Sequence, residues 1–176
     1  MSTEILKMGN PLLYTQADIV QNVNCHYLDP IIDNMLRVMR TSKGVGIAAP
    51  QIGVNKRIII FGFETSSRYP DEAPVPLTIL INPTIDFLSC DIVNGWEGCL
   101  SVPGLRGLVP RYHHIKYSGY DFHKKEYITD EAKGFHARII QHEMDHLNGI
   151  LYPHRITDMK MFGFEGEDFM RPRSIL

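Results

Sequence analysis

The sequence has no excess of positive charge. Its 18 Lys and Arg face 20 Asp and Glu, a formal net charge of -2. No bulk basic field is available to hold a phosphate backbone, so no nucleic-acid partner is expected. No apolar run reaches the ~18 residues of a membrane-spanning helix, so no membrane is expected. Cysteine is scarce: Cys25, Cys90 and Cys99 are the 3 present. An odd number at wide spacing fits neither a disulfide framework nor a paired-cysteine zinc knuckle. Met1 to Lys7 lack the basic and apolar regions of a signal peptide, and a reducing, cytoplasmic location is expected. Asn82-Pro83-Thr84 cannot accept a glycan, because proline stands in the middle. There are no repeats and no low-complexity stretches. Hydrophobic residues at 44% and charged residues at 22% exclude disorder and collagen. A length of 176 residues suits a single domain over 1–176 with one core.

What is present reads as an α+β pattern. Asp29 is a good N-cap and Pro30 suits a first helical position. Ile31, Ile32, Met35, Leu36 and Met39 then recur at helical spacing. A helix from Pro30 to Lys43 follows, with Gly44 as its stop. Gly44 to Gly53 is too rich in Gly and Pro for a helix. It is nearly free of charge and is expected to lie against the core. Arg57 to Phe61 reads as a buried strand. Thr65 to Pro76, with Pro70, Pro74 and Pro76, reads as a surface loop. Leu77 to Asn82 is a strand, Pro83 to Gly95 holds one or two more, and Val109 to Phe122 and Tyr127 to Thr129 add others. Many short strands between two helices predict antiparallel or mixed sheets packed around the second helix, not βαβ units. The tail, ending Arg171-Pro172-Arg173-Ser174-Ile175-Leu176, is expected to fray.

The second helix carries the chemistry. It runs from Phe135 to Asn148 between Gly134 and Gly149. Phe135, Ile139, His142 and His146 form one stripe. His142-Glu143-Met144-Asp145-His146 is an HExxH sequence, and its two imidazoles lie one turn apart on one face, where both can bind a single metal ion. Glu143, beside the first ligand, can reach a water on that metal and take its proton at neutral pH. The bland alternative is a solvated helix face. Phe135 and Ile139 on the same stripe argue against it, because two buried histidines without a partner are costly. Catalytic sites of this kind take three protein ligands and keep one position for water. No further ligand follows along the helix, where Asn148-Gly149-Ile150-Leu151-Tyr152 stand. Glu97 and Cys99, in Gly95-Trp96-Glu97-Gly98-Cys99-Leu100-Ser101, are the candidates for the third.

Three segments together resemble the signatures of peptide deformylase: Gly44 to Gln51, Glu97 to Ser101, and Gln141 to Gly149. They stand in that family's order, and the resemblance spans Met8 to Tyr152. It implies hydrolysis of the formyl group from N-formylmethionyl nascent peptides, with release of formate. It also implies one divalent metal held by Cys99, His142 and His146, with Fe(II) as native metal and Zn or Ni as recovered metal. Glu143 matches the general base. The Gln51 side chain and the Leu100 backbone N–H match the donors that stabilise the oxyanion. Substrate would add as a strand along Val45, Gly46 and Gly98, with Glu97 nearby. Its methionine would enter a pocket of Val45, Phe135, Ile139 and His142. Arg106 stands where family members have an arginine that contacts the peptide backbone. Arg138, one turn before His142, needs a partner, and Glu97 or a substrate carboxylate is expected to supply it.

The departures from the family are a longer Thr65–Pro76 loop and a tail without the basic C-terminal helix that some bacterial members dock on the ribosome. Ribosome docking by that route is therefore not expected. His26, His113, His114, His123, His136 and His154 match no motif and read as surface or satisfied residues. Two rival readings are weighed. A zincin-type endopeptidase would need a further ligand downstream, where His154 is out of reach. A purely structural metal would need neither Glu143 nor Gln51.

Overall fold

A computed structural model of the chain describes residues 4–167; the expected fraying of the last residues lies outside them. The first helix, α1, is Leu28–Thr41, two residues earlier at each end than the predicted Pro30–Lys43. Turns closed by Cys25, Leu28 and Asp29 N–H lead straight into it, so Asp29 and Pro30 sit inside the first turn and Tyr27 is the cap. Proline is tolerated there because its missing N–H would have had no intrahelical partner. At the other end Lys43, not Gly44, takes the left-handed conformation, at φ 52. Lys43 N–H donates to Arg40 O and Gly44 N–H to Met39 O, which closes the end of the helix.

The strands are β1 (Gly46–Ala48), β2 (Ile58–Phe63), β3 (Val75–Phe87), β4 (Ile92–Cys99), β5 (Val102–Tyr112), β6 (His114–Asp121) and β7 (Glu126–Lys133). Helix α2 (Gly134–Leu147) and a short β8 (Phe162–Phe164) follow. One sheet has the order β1-β2-β3-β6-β7 and the other β4-β5-β8. Every strand pair within the two sheets is antiparallel. The sequence divides this stretch into a strand ending at Asn82 and others beyond Pro83, but β3 is one strand. It continues to Phe87 across an irregularity between Ile81 and Thr84. Asn82 itself is left-handed, at φ 53. Its side chain accepts from Val20 N–H and donates to Val20 O, both at 2.9 Å, so a local break in the ladder ties down the N-terminal segment.

The run Ile58 to Phe61 is wholly apolar because both faces of the larger sheet are covered. Ile58, Ile60, Ile79 and Ile81 pack against Ile31, Ile32, Met35 and Met39 of α1. Ile59, Phe61 and Leu80 face the other way, onto Ala137, Ile140, Met144 and Leu147 of α2. A third cluster of Leu13, Cys99, Val102, Val109, Leu151 and Tyr152 underlies the smaller sheet. Helix α2 thus lies between the two sheets, as the α+β reading placed it. Gln141 fixes it to β5: its Oε1 accepts from Tyr112 N–H at 3.1 Å and its Nε2 donates to Tyr112 O at 2.8 Å. The Gly44–Gly53 segment does lie against the core, as strand β1 followed by a 3-10 turn, Ala49–Ile52.

Candidate active site

The two histidines of α2 converge on the last residue of β4. The ligand atoms of Cys99, His142 and His146 lie within 4.8 Å of one another, and Cys99 Sγ stands 3.2 Å from His146 Nε2. Among the described residues no fourth His, Cys, Asp or Glu joins them. Burial alone would raise the Cys99 thiol, but the two imidazoles hold it well below its usual range. Burial likewise opposes charge on His142, yet Cys99 and Glu97 raise it well above the ordinary value. A thiol that favours the thiolate beside two imidazoles, with Cys99 and His146 buried and His142 half-buried, is the donor set of a divalent transition metal. The residues fit the ion that the motif demands.

Glu97 is not the third ligand, and its carboxylate is not left free for substrate. Its Oε2 accepts from His142 Nδ1 at 2.9 Å, which leaves Nε2 of that ring for metal. Its other contacts are arginines: Arg111 Nε and Nη2 at 2.9 and 3.0 Å, and Arg138 Nη1 at 2.8 Å. Burial works against its charge, but these partners hold it well below the usual carboxylate range. Arg138 therefore pairs with Glu97, one of its two expected partners. It also donates to Val109 O at 2.8 Å and Val93 O at 2.6 Å, and a Cβ at Gly95 would meet its guanidinium at 2.6 Å.

Beyond Glu97 lies a network that motif reasoning missed. Arg111 Nη1 donates to Asp145 Oδ2 at 2.6 Å, and Asp145 Oδ1 accepts from Arg155 Nη2 at 2.7 Å. Asp145 was visible only as a middle residue of the motif. Nothing in the sequence connects it to Arg111 or Arg155. Tyr152, also missed, lays its ring beside His142 with centroids 6.1 Å apart.

Glu143 is 4% exposed. Its Oε2 is buried with no hydrogen-bond partner among the described residues, and burial pushes its carboxyl up to about 7. The positive charge of an ion on the neighbouring ligands would draw it back down. It lies flat against β1, where any Cβ at Gly46 would overlap its carboxylate. Gln51 is set by its own turn. Its Oε1 accepts from Ala48 N–H at 2.9 Å, and its Nε2 points to Cys99 Sγ at 3.5 Å and Ser101 Oγ at 3.1 Å. Leu100 follows Cys99 directly, and its carbonyl accepts from Lys7 Nζ at 3.0 Å.

These groups open into one cavity. Val45, Gly46, Gln51, Gly98, Leu100, Phe135, Ile139, His142 and Glu143 all line it, as expected from the sequence. So do Arg68 and Tyr69, which the sequence placed in an outer loop. Tyr69 packs on Phe135, with ring centroids 4.6 Å apart. Arg106 sits behind, 5.1 Å from the Tyr69 ring, and Glu165 holds its Nη2 at 3.0 Å. His154 touches Tyr14 instead, and among the described residues no ligand downstream of α2 joins the cluster, as the endopeptidase rival would require.

Comparison with known proteins agrees with this geometry. A family model described as polypeptide deformylase matches residues 2–162. Peptide deformylase 1 of Bordetella pertussis is 57% identical over 160 residues, covering 91% of this chain and 90% of that protein. Peptide deformylase 2 of Ralstonia nicotianae is 53% identical, covering 93% and 92%. The Met-Ala-Ser-bound class I type b peptide deformylase of Acinetobacter baumannii superposes with a TM-score of 0.82 at 40% identity, over 86% of this chain and 96% of that one. The actinonin complex of the Synechococcus elongatus enzyme gives 0.78 at 35% identity, over 88% and 79%. With the motif residues gathered around one cavity, the chain belongs to the peptide deformylase family.

Proposed function

We propose that this chain, acting as one catalytic domain in the cytoplasm, deformylates nascent N-formylmethionyl peptides with Glu143 as its proton carrier. The observation that carries the reading is the buried Glu143 carboxylate, its Oε2 without a partner among the described residues, in one cavity with a three-ligand cluster. Cys99, His142 and His146 would hold the metal, which when bound supplies Lewis acidity and makes water nucleophilic at neutral pH. Glu143 takes a proton from the attacking water and returns it to the departing amine nitrogen. Burial raises its affinity for the proton and a bound ion lowers it, and that balance suits a group that both takes and returns one. Gln51 Nε2 is held ready to donate to the developing oxyanion, and the Leu100 N–H is the second donor.

The Met-Ala-Ser peptide of the Acinetobacter relative is the model for substrate here. Val45, Gly46 and Gly98 offer backbone to an added strand, while Val45, Phe135, Ile139 and His142 enclose the methionine. Such an apolar slot discriminates only modestly per methylene, so selectivity for methionine is incomplete. Fe(II) is proposed as the working metal. The ligand set binds nickel or zinc more tightly, so recovered metal need not be working metal.

The experiment is formate release from formyl-Met-Ala-Ser by anaerobic Fe(II)-loaded protein, beside Glu143→Gln with its metal assayed. Release by the wild type and a loss of about 10²- to 10⁴-fold in the variant, metal retained, is expected. Full activity in the variant removes Glu143 from the role. No release by fully loaded wild type removes the reading itself.

A further inference from the structure

The arginines around the site differ in one respect. Arg111 and Arg138 are paired with Glu97, Arg106 with Glu165 and Arg155 with Asp145. Arg68 lines the same cavity, yet among the described residues no carboxylate lies within ion-pair distance of its guanidinium. Asp71 and Glu72 follow it in the loop and line the groove beyond it without pairing to it. Arg68 is half-buried, so at the wall of this cavity its guanidinium is left to meet an anionic group on a bound ligand.

Its position is defined from two sides. A Cβ placed on Gly98 would meet Arg68 Nη2 at 2.9 Å, so the guanidinium lies directly over the edge of β4. Tyr69, the next residue, is wedged between the Phe135 ring at 4.6 Å and the Arg106 guanidinium at 5.1 Å. The aromatic contact anchors the loop on the pocket wall and holds Arg68 above the opening. A peptide whose methionine side chain fills the slot by Phe135 and Ile139 must leave between Gly98 and Val45, beneath that guanidinium.

We propose that Arg68 is a specificity-determining residue that selects formylated peptides carrying a negative charge on the first or second residue after the methionine. The inference rests on the deformylase reading of the cavity. The guanidinium offers a fork of donors suited to a carboxylate. Partial burial keeps its field less screened than at an open surface. A lysine at the same substrate position meets like charge and is disfavoured.

The test compares kcat/KM for C-terminally amidated peptide pairs: formyl-Met-Asp-Ser with formyl-Met-Lys-Ser, and formyl-Met-Ala-Asp with formyl-Met-Ala-Lys. Wild type is expected to prefer Asp by about five-fold in at least one pair, with the ratio shrinking as salt rises. Arg68→Lys keeps the direction of the preference, Arg68→Ala abolishes it, and Arg68→Glu turns it toward Lys. Equal rates for both pairs in wild type overturn the proposal, as does a preference that survives Arg68→Glu. Because ratios are read, the proposal can fail while formate release continues. Failure of release from every peptide by metal-loaded wild type would instead strike the underlying reading.

Discussion

His136 is a base with one ring nitrogen turned into an apolar setting. Its Nε2 is buried without a partner among the described residues, and its ring packs between Phe61 and Tyr117 at 5.6 and 5.8 Å. Burial lowers its pKa, with Asp130 pulling weakly the other way. The folded protein therefore keeps His136 neutral while the unfolded chain, titrating near ~6.5, takes up a proton. Stability from this group is fully present above that pH and is lost as pH falls toward the lowered folded value. His136→Phe keeps the ring contacts and removes the titration. Its stability relative to wild type is expected to rise between pH 7.5 and 5.5 in urea unfolding; a pH-independent difference would refute the argument. Gln51 is the contrasting residue, polar, buried and hydrogen-bonded through both its oxygen and its nitrogen. Gln51→Ala is expected to lower kcat by about 10²- to 10³-fold with metal retained, read from formate release. In the sequence His136 looked like an ordinary surface or satisfied histidine. Its predicament comes from Phe61 and Tyr117, which stand far from it along the chain. The pairing of His142 with His146 was legible because helical spacing alone puts them together, whereas Cys99 was singled out from Glu97 only by the family resemblance.

At the scale of elements, the ends of α2 show how a turn can be legible while its reason is not. Gly149 was read as a helix stop, and it is one, at φ 71; Ile150 N–H closes the end on Asp145 O at 2.9 Å. The sequence could not show that a Cβ there would also meet the Tyr14 carbonyl carbon at 2.7 Å. Gly149→Ala thus combines a left-handed cost of about 1–2 kcal/mol with a backbone clash. A stability loss of about 2 kcal/mol or more is expected in urea unfolding. A loss no larger than the left-handed cost alone would mean that the Tyr14 turn moves aside freely. Gly46 makes a parallel case on β1, because a Cβ there displaces Glu143. Gly46→Ala is expected to lower kcat/KM by more than ten-fold, an effect of misplacing a reacting group by about 1 Å, while Tm changes little. The Thr65–Pro76 loop was read from its prolines, which fix turns but do not say what the turns carry. That Arg68 and Tyr69 return to the cavity depends on Phe135 and Arg106, contributed by other elements.

Across the whole molecule, one ionic chain, buried except at its exposed Arg155 end, joins the smaller sheet to α2 and to the segment after it: Arg138 and Arg111 on Glu97, then Asp145, then Arg155. None of this pairing was legible beyond Arg138 with Glu97. Residues such as Arg111 and Arg155 look like any surface arginine until the fold brings carboxylates to them. The consequence for the site is indirect. Glu97 orients His142 only while its own oxygens are held, and Arg111 holds both of them. Arg111 is 6% exposed, so removing it leaves Glu97 and Asp145 buried with less than their complement of charge. Such a break typically costs about 3–5 kcal/mol. Loss of an outer partner of a ligating histidine typically weakens metal binding about 10- to 100-fold. Arg111→Leu is therefore expected to lower stability by about that amount in urea and to release metal faster to a chelator. Arg111→Lys keeps charge but loses the two-pronged grip on Glu97, and should fall between the two. Measuring stability on metal-free protein separates the effects. If Arg111→Leu destabilises the metal-free fold but leaves chelator release at the wild-type rate, then Glu97 keeps its hold on His142 without Arg111, and the network serves the fold rather than the metal.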